Sequence, residues 1–185
     1  MAPVPDIAVL RRRLALTLAL PAPAATASVM MCLREGPRGT EILLCRRATR
    51  LGDPWSGHVG LPGGRIDPVD ADAQAAAARE TLEEVGFDPL LCGTLLGVLE
   101  PLVPLSFPIV IAAYVAHVDQ PVEMLLSDEI AAAWWTPFQD LEAVVADVAE
   151  APTRVSAWRL PHADAADVVL WGITYRLLDR LFAIS

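Results

Sequence analysis

Three glutamates, Glu80, Glu83 and Glu84, lie in one short run with Arg79, downstream of a glycine pair, Gly63-Gly64, in the stretch LPGGRIDPVDADAQAAAARETLEEVGF. Carboxylates three or four positions apart on a helix sit about 5–6 Å from each other and cost only a few tenths of a kcal/mol while solvated. Enclosed, two such charges about 6 Å apart repel by roughly 3 kcal/mol at an effective dielectric near 20, and three hold together only around a cation. The pattern is therefore open between a wet helix face and a metal site. Three features favour enclosure. The glycine pair lets a backbone carbonyl approach closely and add a neutral oxygen. Arg79 reaches Glu83 at i,i+4, and Glu100, Glu123, Asp128 and Glu129 offer a further carboxylate from outside the run. Hard oxygen donors without histidine or thiolate suit Mg²⁺ or Mn²⁺ rather than zinc.

These residues need elements to position them. Asp70 or Asp72 caps a helix expected over about 73–85, and Gly86 ends it. At 100° per residue, Ala75, Ala78, Leu82 and Val85 share one face, while the three glutamates occupy an arc of about 100° on the opposite one. Upstream, Ala27–Arg34 and Thr40–Arg46 are apolar runs flanking the turn EGPRG, the pattern of a hairpin. The loop RRATRLGDPWSGH gathers Arg46, Arg47 and Arg50 with Trp55 before a short VGL segment leads into the glycine pair; solvated loop arginines are the competing reading. Downstream, Leu95–Leu99, Ile109–His117 and Ile130–Trp135 read as strands. Pro137 opens a helix through about Val148. Residues 151–167 are irregular, anchored by Trp158 and Leu160, and a final helix over about 166–182 buries Val169, Ile173, Leu177 and Leu181. Residues 6–20 have helical composition ended by Pro21 and Pro23. The expected class is α+β, with residues 1–24 as an N-terminal helical extension and 25–185 as one domain that includes the C-terminal helix.

A chain of 185 residues can bury one substantial core. Its formal net charge of −9 leaves no basic surface for nucleic acid. An acidic protein that handles phosphates must bring local arginines or a bridging cation. Cys32, Cys45 and Cys92 are scattered through apolar runs, so a reducing, cytoplasmic compartment is expected rather than a disulfide framework. The uncharged run 14–33 behind Arg11, Arg12 and Arg13 has the look of a signal peptide, but Asp6, Ile7, Val9 and Leu10 ahead of the arginines suit an amphipathic helix, which is the preferred reading. Pro101, Pro104 and Pro108 break the other uncharged run, 101–118, which reads as two buried strands and a turn rather than a membrane span.

Arg79-Glu80-Thr81-Leu82-Glu83-Glu84-Val85-Gly86-Phe87 matches the second half of the Nudix box, GX5EX7REUXEEXGU, at every fixed position, and the chain resembles the Nudix hydrolases. The first half departs. One extra residue lies between Gly64 and the helix, and Asp70 stands about where the first glutamate would be. GGRIDPVD shares that departure with coenzyme A pyrophosphatase-like Nudix proteins, a branch that Leu43-Leu44-Cys45, Arg47-Ala48, Gly57, Leu61-Pro62-Gly63-Gly64 and WGITYRLL follow more loosely.

The resemblance implies a Nudix-type α/β/α sandwich with a mixed central sheet and a loop-helix-loop catalytic motif. It implies a Mg²⁺- or Mn²⁺-dependent pyrophosphohydrolase acting on a nucleoside diphosphate derivative, foremost coenzyme A or an acyl-CoA, otherwise ADP-ribose, NADH or a dinucleoside polyphosphate. Glu83 and Glu84 are implied as metal ligands, Glu80 as a further ligand or the base, the carbonyl of Gly64 or Gly63 as completing the set, and Arg79 as orienting the carboxylates. The family often recruits a glutamate from a later loop; Glu129 is the candidate, with Glu100 and Glu123 as rivals. Arg46, Arg47 and Arg50 are expected at substrate phosphates, because guanidinium forks match phosphate oxygens. Trp55 is expected on an adenine, with packing as its alternative, and His58 as a structural hydrogen-bonder. The partner is a phosphorylated small molecule, with no nucleic acid and no membrane, and a homodimer is left open. A Nudix-fold module that binds a nucleotide without cleaving it is the competing function; the presence of Glu80, Glu83 and Glu84 together favours the enzyme.

Overall fold

The computed structural model describes residues 5–19, 24–52, 55–104, 108–160 and 168–184. Asp6 accepts a hydrogen bond from the Val9 amide at 2.7 Å and so caps α1 (Ile7–Leu14), which runs into a 3₁₀ turn (Ala15–Ala19). Ile7, Leu10 and Leu14, spaced three and four apart, are the buried stripe of this amphipathic helix. Leu20, Pro21 and Pro23, where the helical composition was expected to end, lie outside the described residues. There follow β1 (Ala27–Gly36), β2 (Gly39–Arg47), β3 (Val59–Gly60), β4 (Gly63–Arg65), α2 (Ala73–Val85), β5 (Gly93–Val98), β6 (Ile111–Val118) and β7 (Ile130–Pro137). A 3₁₀ turn (Phe138–Asp140) leads to β8 (Glu142–Ala146), β9 (Val155–Leu160), β10 (Val168–Leu170) and α3 (Gly172–Phe182).

β1 lies parallel to β6 from Ala27↔Ile111 to Leu33↔His117 and antiparallel to β2 from Leu33↔Ile42 to Gly36↔Gly39. Beyond the Leu33–Ile42 pair the hairpin strands part. The short strands fill the wedge, β4 on β1 (Val29↔Gly63) and β3 on β2 (Cys45↔Gly60), so Leu61 and Pro62 cross between them. β7 covers the other edge of β2, and β5 the outer edge of β6, completing a mixed seven-stranded sheet. A second, three-stranded antiparallel sheet has the order β10-β9-β8.

Side chains alternate across a strand, and the sheet therefore has two apolar faces. Met30, Cys32, Leu43 and Cys45 meet Ala73, Ala77, Ala78 and Val85 of α2. Met31, Leu33, Ile42 and Leu44 meet α1 and the Leu177, Leu178 and Leu181 stripe of α3. This is an α/β/α arrangement with α+β content. Among the described residues, no helix is long and apolar enough to cross a membrane.

Several expectations need correction. Pro137 does not open a helix: it ends β7, and after one 3₁₀ turn the β-branched Val144-Val145 pair lies in β8, where Val144 faces Ala157 and Val145 faces Ser156. Residues 155–160, read as irregular, are the central strand of the second sheet, with Ala157 and Leu160 buried. The last helix begins at Gly172 rather than about 166, because Val168–Leu170 pairs with β9; Val169 is a strand residue, while residues 161–167 lie outside the described ones. Of the two strands expected over 101–118, one is β6 and the other reduces to a single bridge, Leu102↔Ile111.

Candidate active site

Asp72 caps α2, its carboxylate accepting from the Ala75 amide at 2.8 Å. Asp70 is thereby left for another task. It accepts the Asp67 amide at 2.8 Å and two guanidinium bonds from Arg79, Nε at 2.9 Å and Nη2 at 3.0 Å, a bidentate tie between loop and helix. Those Arg79 bonds hold the Asp70 carboxyl below its ordinary range, and Asp70 in turn drives Arg79 further into its charged form. Arg79 also donates to the Arg65 carbonyl at 3.3 Å and lies 3.0 Å from both Glu80 and Glu83. Of the two expected capping residues, Asp72 is the cap and Asp70 is instead the anchor of Arg79, a role the sequence reading does not give it.

The inward arc of α2 differs from the expected one. Ala73, Ala76, Ala77, Ala78, Thr81, Glu84 and Val85 are buried, while Leu82 is 47% exposed. Glu84 therefore sits within the arc facing the sheet, its side chain 8% exposed. Its Oε2 accepts the Gly63 amide at 3.0 Å, and its Oε1 lies 3.9 Å from Arg47 Nη1. Burial pushes the Glu84 carboxyl up to about 7; the Gly63 amide and Arg47 oppose that rise, and the charges of Glu80 and Glu129 add to it. Glu80 is 20% exposed and is also raised, by burial first and against the pull of Arg79. Glu83 points outward at 58% exposure, against Arg79. One acidic edge thus runs from core to solvent.

The two glycines answer different needs. At Gly63, with φ of 147°, a Cβ would strike the Ser28 carbonyl oxygen and come within 2.6 Å of Val29 Cα. At Gly64 it would come within 2.6 Å of the Glu80 carboxyl carbon. The pair lets β4 pass between β1 and the glutamates.

Glu129 precedes β7, which carries it beside β2: its carbonyl accepts the Ala48 amide at 2.7 Å, and its carboxylate lies 3.2 Å from Arg50 Nη1. Its charge acts on Glu84. The three arginines do not converge on one point. Arg47 is beside Glu84, Arg50 pairs with Asp128 and Glu129, and Arg46 faces the other side of the sheet, its guanidinium 5.6 Å from the Trp134 ring centre. Trp55 is edge-on to His58 at 5.5 Å, and His58 in turn to Trp171 at 5.8 Å, with Glu150 3.5 Å from the His58 ring nitrogen. A cavity of about 730 Å³ opens here, bordered by Arg47, Gly63 and Glu84 on one side and by Trp171, Ile173 and Leu177 on another. Only WGITYRLL hinted in the sequence that this last segment belongs to the site.

Among the described residues, no three acidic, histidine or cysteine side chains already stand as a metal cage, since Arg79 draws Glu80 and Glu83 toward itself. The donors are nonetheless all hard oxygens, and the buried Glu84 charge has one amide and a distant guanidinium to offset it. That set fits a hard divalent cation such as Mg²⁺ or Mn²⁺.

A NUDIX domain family model matches residues 24–158. "Nudix hydrolase 22, chloroplastic" of Arabidopsis thaliana is 31% identical over 173 residues, covering 83% of this chain and 53% of that protein. "Mitochondrial coenzyme A diphosphatase NUDT8" of Homo sapiens is 39% identical over 70 residues, covering 38% of this chain and 30% of that protein. The chain thus spans about half the length of the first relative and under a third of the second. Among solved structures, the C. elegans Ap4A hydrolase binary complex matches with a TM-score of 0.52 at 26% identity, covering 62% of this chain and 81% of that one.

Proposed function

The chain belongs to the NUDIX family, and from that premise we propose that it is a divalent-cation-dependent pyrophosphohydrolase that cleaves the diphosphate bond of a nucleoside diphosphate derivative, foremost coenzyme A or an acyl-CoA. The observation that carries the reading is Glu84, a carboxylate buried in the inward arc of α2 yet bordering a cavity of ligand size. Glu83, Glu84, Glu80 and the Gly64 carbonyl are assigned to hold the cation. When bound, it neutralises charge developing on the bridging and leaving oxygens and acidifies the attacking water.

The chain's own residues do the rest. Arg79, anchored by Asp70, keeps Glu80 and Glu83 in register. Glu80 or Glu129 takes the water's proton. Arg47 and Arg50 meet substrate phosphates at the cavity's edge, and Trp55 offers its ring to the base. Arg46, on the other sheet face, contacts a part of the substrate beyond the diphosphate through an adjoining cavity of about 360 Å³ that shares His58 and Trp171 with the larger one. GGRIDPVD and the local likeness to a coenzyme A diphosphatase support the substrate choice. Three unlinked cysteines support a reducing, cytoplasmic setting.

The test is product analysis by chromatography after incubation with Mg²⁺ or Mn²⁺ and coenzyme A, ADP-ribose, NADH or a dinucleoside polyphosphate. Coenzyme A is expected to yield two phosphomonoesters. Cleavage of another compound but not coenzyme A overturns the substrate; cleavage of none overturns the reaction.

A further inference from the structure

Arg47 lines the large cavity and Arg50 does not, although the turn that Arg50 pairs with abuts that cavity through Ile130. The backbones on both sides of the pair are fixed. The Arg50 amide donates to Ser56 Oγ at 2.9 Å, and the Arg50 carbonyl accepts from the same hydroxyl at 2.8 Å, which closes the segment after β2 into a turn. Opposite, Asp128 and Glu129 lie in the turn before β7. There the Ser127 amide donates to the Glu84 carbonyl at 3.1 Å, and the Glu129 carbonyl accepts the Ala48 amide at 2.7 Å. The guanidinium bridges the two carboxylates, Nη2 lying 3.1 Å from Asp128 Oδ2 and Nη1 3.2 Å from Glu129 Oε1. The side chains that meet are wet: Arg50 is 42%, Glu129 47% and Asp128 93% exposed. Ion pairs of that kind are weak and exchange partners readily.

Resting on the assignment of Arg50 to substrate phosphates, we infer that Asp128 is a positioning residue that acts through Arg50: with Glu129 it draws the guanidinium aside in the empty site, and a diphosphate binds by pulling Arg50 away from it. Phosphate and carboxylate oxygens compete for the same N–H fork. A diphosphate brings two charges to that fork, against one from each solvated carboxylate, so the exchange runs toward the ligand. Asp128 therefore weakens binding by the amount its hold on Arg50 is worth. The hold has a physical reason. The charge of Glu129 acts on the buried Glu84, and Arg50 offsets it while the site is empty. When Arg50 turns to the ligand, Glu129 loses that partner as the ligand arrives, which is when a proton acceptor is needed.

The probe is α,β-methylene-ADP, a diphosphate whose bridging carbon resists cleavage. Its affinity for the full chain with Mg²⁺ is measured by isothermal titration calorimetry at about 0.15 M salt, where exposed charges beyond about 8 Å are screened. The chains compared are the unaltered one, Asp128→Asn, Arg50→Ala and the double variant, with KM and kcat for coenzyme A measured alongside. Asp128→Asn is expected to bind the probe roughly twofold to fivefold more tightly, the worth of an exposed pair, and to lower KM by a similar factor with kcat within about twofold. Asp128→Glu, which restores the charge, is expected to return both to the unaltered values. With Arg50→Ala already in place, Asp128→Asn is expected to change affinity by less than about 1.5-fold. Asp128 is 93% exposed, so its replacement leaves the fold intact. Unchanged or weaker binding by Asp128→Asn overturns the inference and leaves a surface pair only. An equal gain with Arg50 absent also overturns it, since Asp128 then repels ligands directly. If Arg50→Ala binds as tightly as the unaltered chain, or no chain binds the probe, the phosphate assignment fails and the inference with it. A loss in Arg50→Ala without a gain in Asp128→Asn refutes the inference alone. The full expected cycle without hydrolysis of any compound upholds the inference and refutes the proposed reaction.

Discussion

Glu84→Gln keeps the shape of the side chain and an acceptor for the Gly63 amide while removing the charge. In the cation-free protein, burial raises the Glu84 carboxyl from 4.5 to about 7. Between those values the folded chain retains a proton that the unfolded chain has released, so stability falls as pH rises through the window, and above it the whole penalty stands. At about 1.4 kcal/mol per pH unit, the interval amounts to about 3 kcal/mol. Solvent screens little of this, since the side chain is 8% exposed. In EDTA at pH 8, Glu84→Gln is therefore expected to be more stable than the unaltered protein by about 3 kcal/mol, or about 6–12 °C in Tm for a chain of this size. At pH 4.5, where Glu84 is protonated in the folded state, the two should agree within about 1 kcal/mol. Differential scanning calorimetry across that range reads the difference directly, and the difference removes the titration of other groups. Adding Mg²⁺ at pH 8 should stabilise the unaltered protein far more than the variant. Equal melting of both proteins in EDTA at pH 8 would refute the claim that Glu84 is a charge held against its burial.

Gly63→Ala and Gly64→Ala should separate stability from activity. The first sets a Cβ against backbone on both sides at a positive φ and should cost about 2–4 kcal/mol in urea unfolding. The second presses on the Glu80 side chain, which can move, and should lower hydrolysis more than tenfold with a stability loss under about 1.5 kcal/mol. Asp70→Asn weakens the hold on Arg79. Because the Asp70 carboxyl is lowered by Arg79, its contribution of about 1 kcal/mol is present above about pH 4 and lost as pH falls through the folded value, so the gap to the variant should close in acid. Arg47→Ala, beside Glu84, should lower kcat/KM at least tenfold, whereas Arg46→Ala, on the other sheet face, should raise KM with little change in kcat.

The bounds of α2 were legible because Asp72 and Gly86 are strong local stop signals, the latter in the left-handed conformation at φ 86°. Its facing was not. Leu82 dominates any hydrophobicity count, yet the sheet surface of Met30, Cys32, Leu43 and Cys45 accepts the close approach of alanines, which turns Leu82 out and Glu84 in. Asp70 and Asp72 looked interchangeable as caps; Arg79, reaching back across the loop, distinguishes them. The three arginines read as one group because they are neighbours in sequence, but Arg46 and Arg47 are consecutive strand residues that point to opposite faces, and Arg50 lies beyond the strand against Asp128 and Glu129. The second sheet is not legible because Pro137 reads as a helix start just ahead of β8, and β8 and β9 gain their order from each other. The apolar stripe of α3 was legible in its spacing, but that Ile173 and Leu177 border the same cavity as Glu84 is a matter of tertiary packing, which no local pattern encodes.

In the proposed reaction the α2 carboxylates hold the cation on which diphosphate cleavage depends. The most direct test is turnover of coenzyme A by the unaltered chain and by Glu84→Gln, each with Mg²⁺ and with EDTA. Two phosphomonoester products are expected from the unaltered chain with Mg²⁺, and a loss of at least a hundredfold in the other three conditions. Turnover by Glu84→Gln equal to that of the unaltered chain, or turnover undiminished by EDTA, would contradict that role.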